Sequence, residues 1–153
     1  MWAKIFAPGN DSFLTSAGLL VLRLWLGLTL LLNHGLGKLK AFDSMASGFA
    51  DPLHVGHTTS LVLAVFAECV AAALVAAGLI TRFAALVLTI QMGVAFFMVH
   101  KGALSGSHSG ELAFIYMAGF LALLLAGPGR ISLDKLIFKS GRSGATSKAK
   151  SGE

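Results

Sequence analysis

Residues 13–33 read FLTSAGLLVLRLWLGLTLLLN, 21 residues in which Arg23 is the one charged side chain. A helix needs about 20 mostly apolar residues to cross the hydrocarbon core of a bilayer. A secretory signal sequence has a shorter apolar region, no charge in its middle and a small-residue cleavage site after it, and this stretch meets none of those criteria. The stretch therefore predicts a retained transmembrane helix.

Three further apolar stretches predict additional membrane spans. They cover residues 59–80, 83–99 and 111–126. The last two are slightly short for a bilayer, so a small tilt or local thinning of the membrane is expected around them. Thr81 and Arg82 are then the whole link between the second and third spans, which predicts an antiparallel helical hairpin. Alanines four positions apart in the second and fourth spans are expected to let neighbouring helices approach closely.

The composition agrees with lipid as part of the solvent. Of the 153 residues, 56% are apolar and 12% are charged, and the mean hydropathy is +0.79. A soluble domain has about 25% charged residues, so a soluble chain of this composition would expose far too much apolar surface. The predicted fold class is all-α: an integral membrane four-helix bundle with a short interfacial C-terminal helix. Cys69 is the single cysteine, which excludes an internal disulfide and dithiol chemistry by the chain alone.

The basic residues predict the orientation of the spans. The net charge is +5, but six of the twelve Lys and Arg residues lie within residues 130–150, so the charge indicates a membrane flank rather than nucleic-acid binding. Four spans place both termini on one side, which has eight basic residues against three on the other (Lys38, Lys40 and Lys101). Because Lys and Arg concentrate on cytoplasmic flanks, both termini are expected in the cytoplasm.

The C-terminal stretch predicts two different states. Residues 131–139 mix apolar and charged side chains, as in a short helix that lies in the membrane interface. Residues 140–153 are rich in Ser, Gly and Lys and are expected to be disordered. The predicted division is therefore a four-span membrane domain over residues 1–139 and a disordered basic tail over residues 140–153.

Three polar residues fall at similar depths within the predicted spans: Arg23, Glu68 and Gln91. An unpaired charge in hydrocarbon costs several kcal/mol, so ionisable residues in membrane spans usually face the bundle and pair. We expect an Arg23–Glu68 pair at the midplane, with Gln91 able to join it. Two interpretations stay open: a structural latch, or a midplane site for a proton or a ligand.

A stripe of the first span leads from this depth to the outer surface. At about 100° per residue, one narrow face of the helix contains Arg23, Gly27, Leu30, His34 and Lys38. Gly27 lets another group approach closely. Such a stripe either lines a cavity that opens outward or is a helix-packing face.

A polar cup is predicted at the outer mouth of the bundle. Its members are His34 and Lys38 from the first span, His100 after the third, and Glu111 at the start of the fourth. Histidines in such a cup can bind a transition metal, donate a hydrogen bond to a quinone carbonyl, or titrate near neutral pH. The alternative is a set of interfacial side chains in contact with water.

No cofactor motif accompanies these residues. The sequence has no GxGxxG, Walker or CxxCH motif. The spacing His54-x-x-His57 is a weak metal signal, because no carboxylate or cysteine stands beside it. No metal is therefore predicted, and a quinone is the cofactor considered, although no motif encodes it.

Several short motifs, taken in order along the chain, resemble one known family. They are RLWLG at 23–27, HGLGKL at 34–39, Glu68, GLITR at 78–82, His100, GELA at 110–113 and GPGRISLD at 127–134. Over about residues 16–138 the chain is similar to the DoxX family of small bacterial inner-membrane proteins. The resemblance implies a multi-pass, four-helix protein of the bacterial inner (plasma) membrane.

The resemblance also has functional implications. The family is related to the membrane subunit of thiosulfate:quinone oxidoreductase, and some members are linked to membrane redox complexes that handle sulfur compounds and oxidant stress. The family pattern, placed on this chain, includes Arg23, His34, Lys38, Glu68, Arg82, His100 and Glu111. It leaves out the loop histidines His54, His57 and His108, so the resemblance implies no metal role for them.

The sequence leaves three functional hypotheses. The first is a membrane subunit of a quinone-linked redox system handling sulfur compounds or oxidant stress, with a quinone or small sulfur anion at the outer cup. The second is a non-catalytic scaffold that recruits a soluble partner. The third is a small-solute or proton transporter, which at this size would have to form homo-oligomers or use one polar cavity. Because the chain encodes no redox group, it is expected to be an accessory subunit beside redox-complex partner proteins rather than an enzyme alone.

Overall fold

The computed structural model describes residues 13–137, and over this range all regular structure is helical. The helices are α1 (Phe13–Lys40), α2 (Phe42–Met45), α3 (His57–Ala77), α4 (Thr81–Val99) and α5 (Glu111–Ala126). A short helix also spans residues 133–137. The all-α prediction is confirmed.

The lengths of the helices agree with a membrane bundle. Helices α1, α3 and α4 have 28, 21 and 19 residues and are long and apolar enough to cross a bilayer. Helix α5 is apolar but shorter, with 16 residues, which correspond to about 24 Å at 1.5 Å per residue. Helix α1 continues past Asn33, where the predicted span ended, and so includes Lys38 in the helix.

The link between α3 and α4 differs from the prediction. Thr81 and Arg82, expected to form the link, are the first residues of α4, and the link is instead Gly78–Ile80. Helix α3 ends at Ala77 because Gly78 adopts a left-handed conformation (φ 72°), a common way to end a helix. The Asp134 carboxylate accepts hydrogen bonds from the backbone N–H groups of Ile80 (2.6 Å) and Thr81 (3.0 Å) and so caps α4.

Helix α1 runs antiparallel to α3 through a contact made of small residues. A Cβ built on Gly27 would lie 2.7 Å from the Ala72 carbonyl oxygen and 3.0 Å from the Ala76 Cβ, so the two backbones meet closely there. In α5 the alanines do not pack as expected, because Ala118, Ala122 and Ala126 are exposed. Helix α5 instead packs through larger side chains, namely Tyr116, Phe120 and Leu123, which belong to the same core as Leu30, Val75, Leu88 and Met92.

The chain after α5 crosses the end of the bundle that carries Gly78–Ile80, here called the link end. The Arg130 N–H donates to Ser16 Oγ of α1 (3.2 Å), and the Asp134 N–H donates to the Gly78 carbonyl (2.8 Å). These bonds hold residues 130–134 against both α1 and the link. The opposite end carries residues 41–56 and 100–110 and is called the loop end.

The structure describes only part of the C-terminal stretch. A helix is present at residues 133–137, within the predicted 131–139, and its location in the membrane interface stays a prediction. The predicted domain boundary after residue 139 and the predicted disordered tail at 140–153 lie outside the described residues.

Candidate functional site

Three of the helices each contain one π-helical turn: Leu31–Gly35 in α1, Ala67–Ala71 in α3 and Ala95–Val99 in α4. A π turn adds a residue to the turn and rotates the side chains that follow, and such turns occur frequently at functional sites. The π turns of α1 and α3 contact each other. Their contact positions the charged residues described next.

Gly35 and Glu68 form the closest part of this contact. A Cβ built on Gly35 would lie 2.7 Å from the Glu68 carbonyl oxygen and 2.9 Å from Cys69 Sγ, so a larger residue at position 35 would separate the helices. The last turn of α1, which carries Lys38, consequently lies beside the Glu68 side chain.

Glu68 is the centre of a buried polar cluster. Its Oε2 lies 2.5 Å from Lys38 Nζ in a salt bridge, and its Oε1 accepts a 2.8 Å hydrogen bond from Gln91 Nε2. Glu68 is 4% exposed, whereas the Lys38 side chain is 20% exposed. A carboxylate removed from solvent in this way needs both partners. The cluster of Lys38, Glu68 and Gln91 is called the Glu68 cluster below.

The Gln91 amide has one unsatisfied atom. Among residues 13–137 no donor forms a hydrogen bond with the buried Gln91 Oε1. The orientation of the amide follows from Glu68, because a carboxylate in a salt bridge accepts hydrogen bonds and therefore takes the amide NH₂ group. Buried polar atoms without a partner are rare in folded proteins. Gln91 thus presents an unused acceptor inside the bundle.

Aromatic side chains lie near the same level of the bundle. Tyr116, 5% exposed, stacks on Phe120 with 5.9 Å between ring centroids. The ring of His34, in the π turn of α1, meets Tyr116 edge-on at 6.1 Å. His34 therefore contacts an apolar wall of the bundle as well as standing one turn before Lys38.

The expected Arg23–Glu68 pair is not formed, and this prediction was wrong. Arg23 is fully buried, and its Nη2 donates a 2.5 Å hydrogen bond to the carbonyl of Ile131 at the link end. Arg23 precedes Gly35, which is level with Glu68, by 12 residues or about 18 Å of helix. Arg23 and Glu68 lie at similar distances from the ends of their own helices but at different depths in the bundle. The reason is that α1 extends past the C-terminal end of α3. The expected Gln91 contact with Glu68 is present.

The stripe on α1 is a packing face over its first half. Arg23, Gly27 and Leu30 are buried against the bundle. His34 and Lys38 are half-buried and lie where α1 meets Tyr116 and Glu68. The helix-packing interpretation therefore holds for the inner part of the stripe.

The four residues predicted to form the outer cup have separate contacts. Lys38 binds Glu68 and His34 meets Tyr116, as described. His100 Nδ1 lies 3.0 Å from the His108 carbonyl oxygen, and Glu111 is exposed at the start of α5. Convergence of all four side chains on one cavity stays a prediction.

The loop between α2 and α3 is held by Asp51. Its carboxylate accepts hydrogen bonds from Ser60 Oγ (2.7 Å) and from the backbone N–H groups of Val55 (3.0 Å) and Gly56 (2.8 Å). The pKa of Asp51 is lowered chiefly by the Ser60 hydroxyl, which stabilises the ionised form; burial opposes this as the next largest effect, and the N–H groups of Gly56 and Val55 lower the pKa further. Nearby, His57 Nδ1 lies 2.6 Å from the Phe49 carbonyl oxygen.

His57 Nδ1 is thus engaged with a backbone carbonyl of the same loop. Over residues 13–137 no group of three or more His, Cys, Asp or Glu side chains is placed to hold a metal ion.

Sequence reasoning missed the Lys38–Glu68 pair. Lys38 was assigned to the outer surface because the first span was ended at Asn33. The sequence signal nearest to the pair is Gly35, where α1 meets the backbone of α3; it is not specific, because nothing lies within 4 Å of a Cβ built on Gly37 in the same turn.

Comparison with known proteins identifies the family. The sequence profile named DoxX matches residues 18–101, which is more than half of the chain and includes Lys38, Glu68 and Gln91. The chain belongs to the DoxX family. Glu111 and the Gly127–Asp134 segment lie beyond the matched residues.

Two relatives of this DoxX protein come from Haemophilus influenzae, and both are described as uncharacterized. One is 36% identical over 115 residues, which cover 69% of this chain and 81% of the relative. The other is 41% identical over 64 residues, covering 40% of this chain and 42% of the relative. No solved structure gives a significant match. This DoxX protein is thus a small membrane protein.

Proposed function

We propose that this DoxX protein is a membrane subunit of a quinone-linked redox system, and that the Glu68 cluster binds the quinone headgroup. The observation that carries the proposal is a partly buried Lys38–Glu68 salt bridge joined by Gln91, whose amide oxygen has no donor among residues 13–137. Ionisable groups within membrane spans are costly and usually serve a function.

The residues of the cluster suit a headgroup with polar atoms on an apolar ring. The Lys38 ammonium has three N–H donors, of which Glu68 uses one, so it can also donate to a ring oxygen. Gln91 Oε1 offers an acceptor. The core near this level contains Tyr116 and Phe120, whose rings stack on each other, so the polar groups of the cluster lie in apolar surroundings, as they do in small-molecule sites.

The electron-transfer chemistry would come from outside the chain. A bound quinone supplies the two-electron chemistry that protein side chains lack. The chain's own residues would position the ring, with Lys38 reaching the cluster from the more exposed side. A partner protein acting on sulfur compounds or oxidants, as the resemblance to redox-linked DoxX members implies, would exchange electrons with that ring. The proposal places the protein in the inner membrane with both termini in the cytoplasm.

Binding of a short-chain benzoquinone analogue to the purified protein in nanodiscs tests the proposal. Saturable binding is expected, and Glu68→Gln should weaken it by about tenfold or more, because the salt bridge that orients Lys38 and Gln91 is lost. The control is Asp43→Asn, which changes an exposed carboxylate in α2, outside both the Glu68 cluster and the predicted outer cup. Thermal melting of each variant separates loss of binding from loss of fold.

Three outcomes would count against the proposal. Wild-type protein that folds but binds no quinone contradicts it directly. Proton or solute flux in liposomes that hold this protein alone, without quinone binding, would indicate a transporter. Capture of a soluble partner through residues 138–153 would indicate a scaffold, provided that Glu68→Gln leaves the binding of that partner unaffected.

A further inference from the structure

We infer that the Glu68 cluster prefers the reduced ring, a quinol with hydroxyl groups, over the oxidised quinone. The inference rests on the proposed function and concerns the direction of one hydrogen bond. The preference for the quinol depends on Gln91 Oε1, which is buried inside the bundle.

The Gln91 amide is held in one orientation. Its Nε2 donates to Glu68 Oε1 at 2.8 Å, and the other Glu68 oxygen is 2.5 Å from Lys38 Nζ. Turning the amide by 180° would place its oxygen against the carboxylate, so that two acceptors would face each other without a proton between them. The salt bridge with Lys38 holds the Glu68 carboxylate in place, and Gln91 Oε1 is thereby kept directed away from that carboxylate.

An acceptor fixed in this way distinguishes the two redox states of the ring. A quinol hydroxyl donates to Gln91 Oε1 and satisfies it, whereas a quinone carbonyl at the same position is another acceptor and satisfies nothing. A site whose buried polar atom needs a ligand hydroxyl rejects the analogue that lacks it much more strongly than a purely apolar pocket does. The expected preference is about tenfold or more in Kd.

The test compares a matched pair of ligands under anaerobic conditions. The probes are 2,3-dimethoxy-5-methylhydroquinone and the corresponding benzoquinone, titrated into wild-type protein and Gln91→Met in nanodiscs. Wild type should bind the hydroquinone about tenfold more tightly or better. Gln91→Met keeps the side-chain length but removes the acceptor together with the Nε2 donor to Glu68. Because the ligand hydroxyl then has no acceptor at this position, the two Kd values should become nearly equal.

A second measurement needs neither the variant nor a redox-active ligand. In wild-type protein, 4-methoxyphenol, which has one hydroxyl donor, should displace the hydroquinone, and 1,4-dimethoxybenzene, which has none, should fail to do so. If Gln91→Met does not fold, this comparison still tests whether the site requires a hydroxyl donor on the ligand.

The outcomes separate the two proposals. If neither hydroquinone nor benzoquinone binds wild-type protein, both the proposed function and this inference are overturned. If both ligands bind wild type equally, or if a folded Gln91→Met keeps the preference, the inference is overturned and the quinone site stands.

Discussion

The Arg23 guanidinium lies directly against the backbone of Gly78, so that a Cβ at position 78 would overlap Arg23 Nη1. The same glycine has φ 72° and ends α3. One residue thus both turns the chain into α4 and leaves room for the largest of the fully buried side chains in the described chain.

Gly78→Ala is therefore expected to destabilise the protein strongly. A left-handed conformation costs a residue with a Cβ about 1–2 kcal/mol, and the overlap with Arg23 adds to that because Arg23 is held by Ile131. The free energy of unfolding, measured by SDS titration in mixed micelles, should fall by about 2 kcal/mol or more. Gly18→Ala in α1 is the control, since nothing lies within 4 Å of a Cβ there. A Gly78→Ala protein as stable as Gly18→Ala would contradict this account of the link end.

Replacing Lys38 should destabilise the fold, because it leaves the buried Glu68 carboxylate without its charged partner. Lys38→Met leaves Glu68 buried with Gln91 as its remaining described partner, and breaking a buried pair from one side costs roughly 3 kcal/mol. The double variant Lys38→Met/Glu68→Met should recover much of that loss, because no charge then remains to be desolvated. Lys40→Met, at an exposed lysine of the same helix, is the control. Equal stability of Lys38→Met and Lys40→Met would show that the salt bridge does not hold α1 to α3.

The described fold follows from local sequence signals, and the site follows only in part. The apolar runs predict α1, α3, α4 and α5 because length and hydropathy are local properties. The partner of Glu68 depends on how far α1 extends beyond α3, which is a property of packing. The prediction therefore paired Arg23 with Glu68, which lies at a different depth. Gln91 was placed correctly beside Glu68, because its helix α4 is joined to α3 by a three-residue link.

The stability of the loop end should depend on pH through Asp51, and the direction of its pKa shift gives the sign of that dependence. The folded pKa lies below the ordinary value of 3.8, chiefly because Ser60 Oγ donates to the carboxylate. Stabilisation by Asp51 is therefore complete above pH 3.8 and disappears as the pH falls through the lower, folded pKa. Asp51→Asn should speed amide hydrogen exchange at Val55 and Gly56 at pH 6, relative to wild type.

The same comparison at a pH below 3.8 should show a smaller difference, since protonation of wild-type Asp51 increases as the pH falls through its lowered folded pKa. Asp43→Asn, at another exposed loop-end aspartate, is the control and should leave exchange at Val55 and Gly56 unchanged. A difference between wild type and Asp51→Asn that is the same at both pH values would contradict the assignment to the ionised carboxylate.

The orientation of the bundle is the remaining prediction. Residues 41–56 and 100–110 lie at the loop end, with Lys38, Lys40 and Lys101 as the basic residues at or near that end. Apart from Arg23, a four-span topology assigns the other eight basic residues to the link-end side. The positive-inside rule then puts the loop end outside the cell membrane and the C-terminus inside.

The single native cysteine makes a clean labelling test, because Cys69→Ser gives a cysteine-free background. Ser105→Cys, exposed at the loop end, should react in intact cells with a membrane-impermeant thiol reagent, and Ser143→Cys should react only after lysis. Labelling of Ser143→Cys in intact cells would reverse the orientation, and the half-exposed Lys38 side of the Glu68 cluster would then face the cytoplasm.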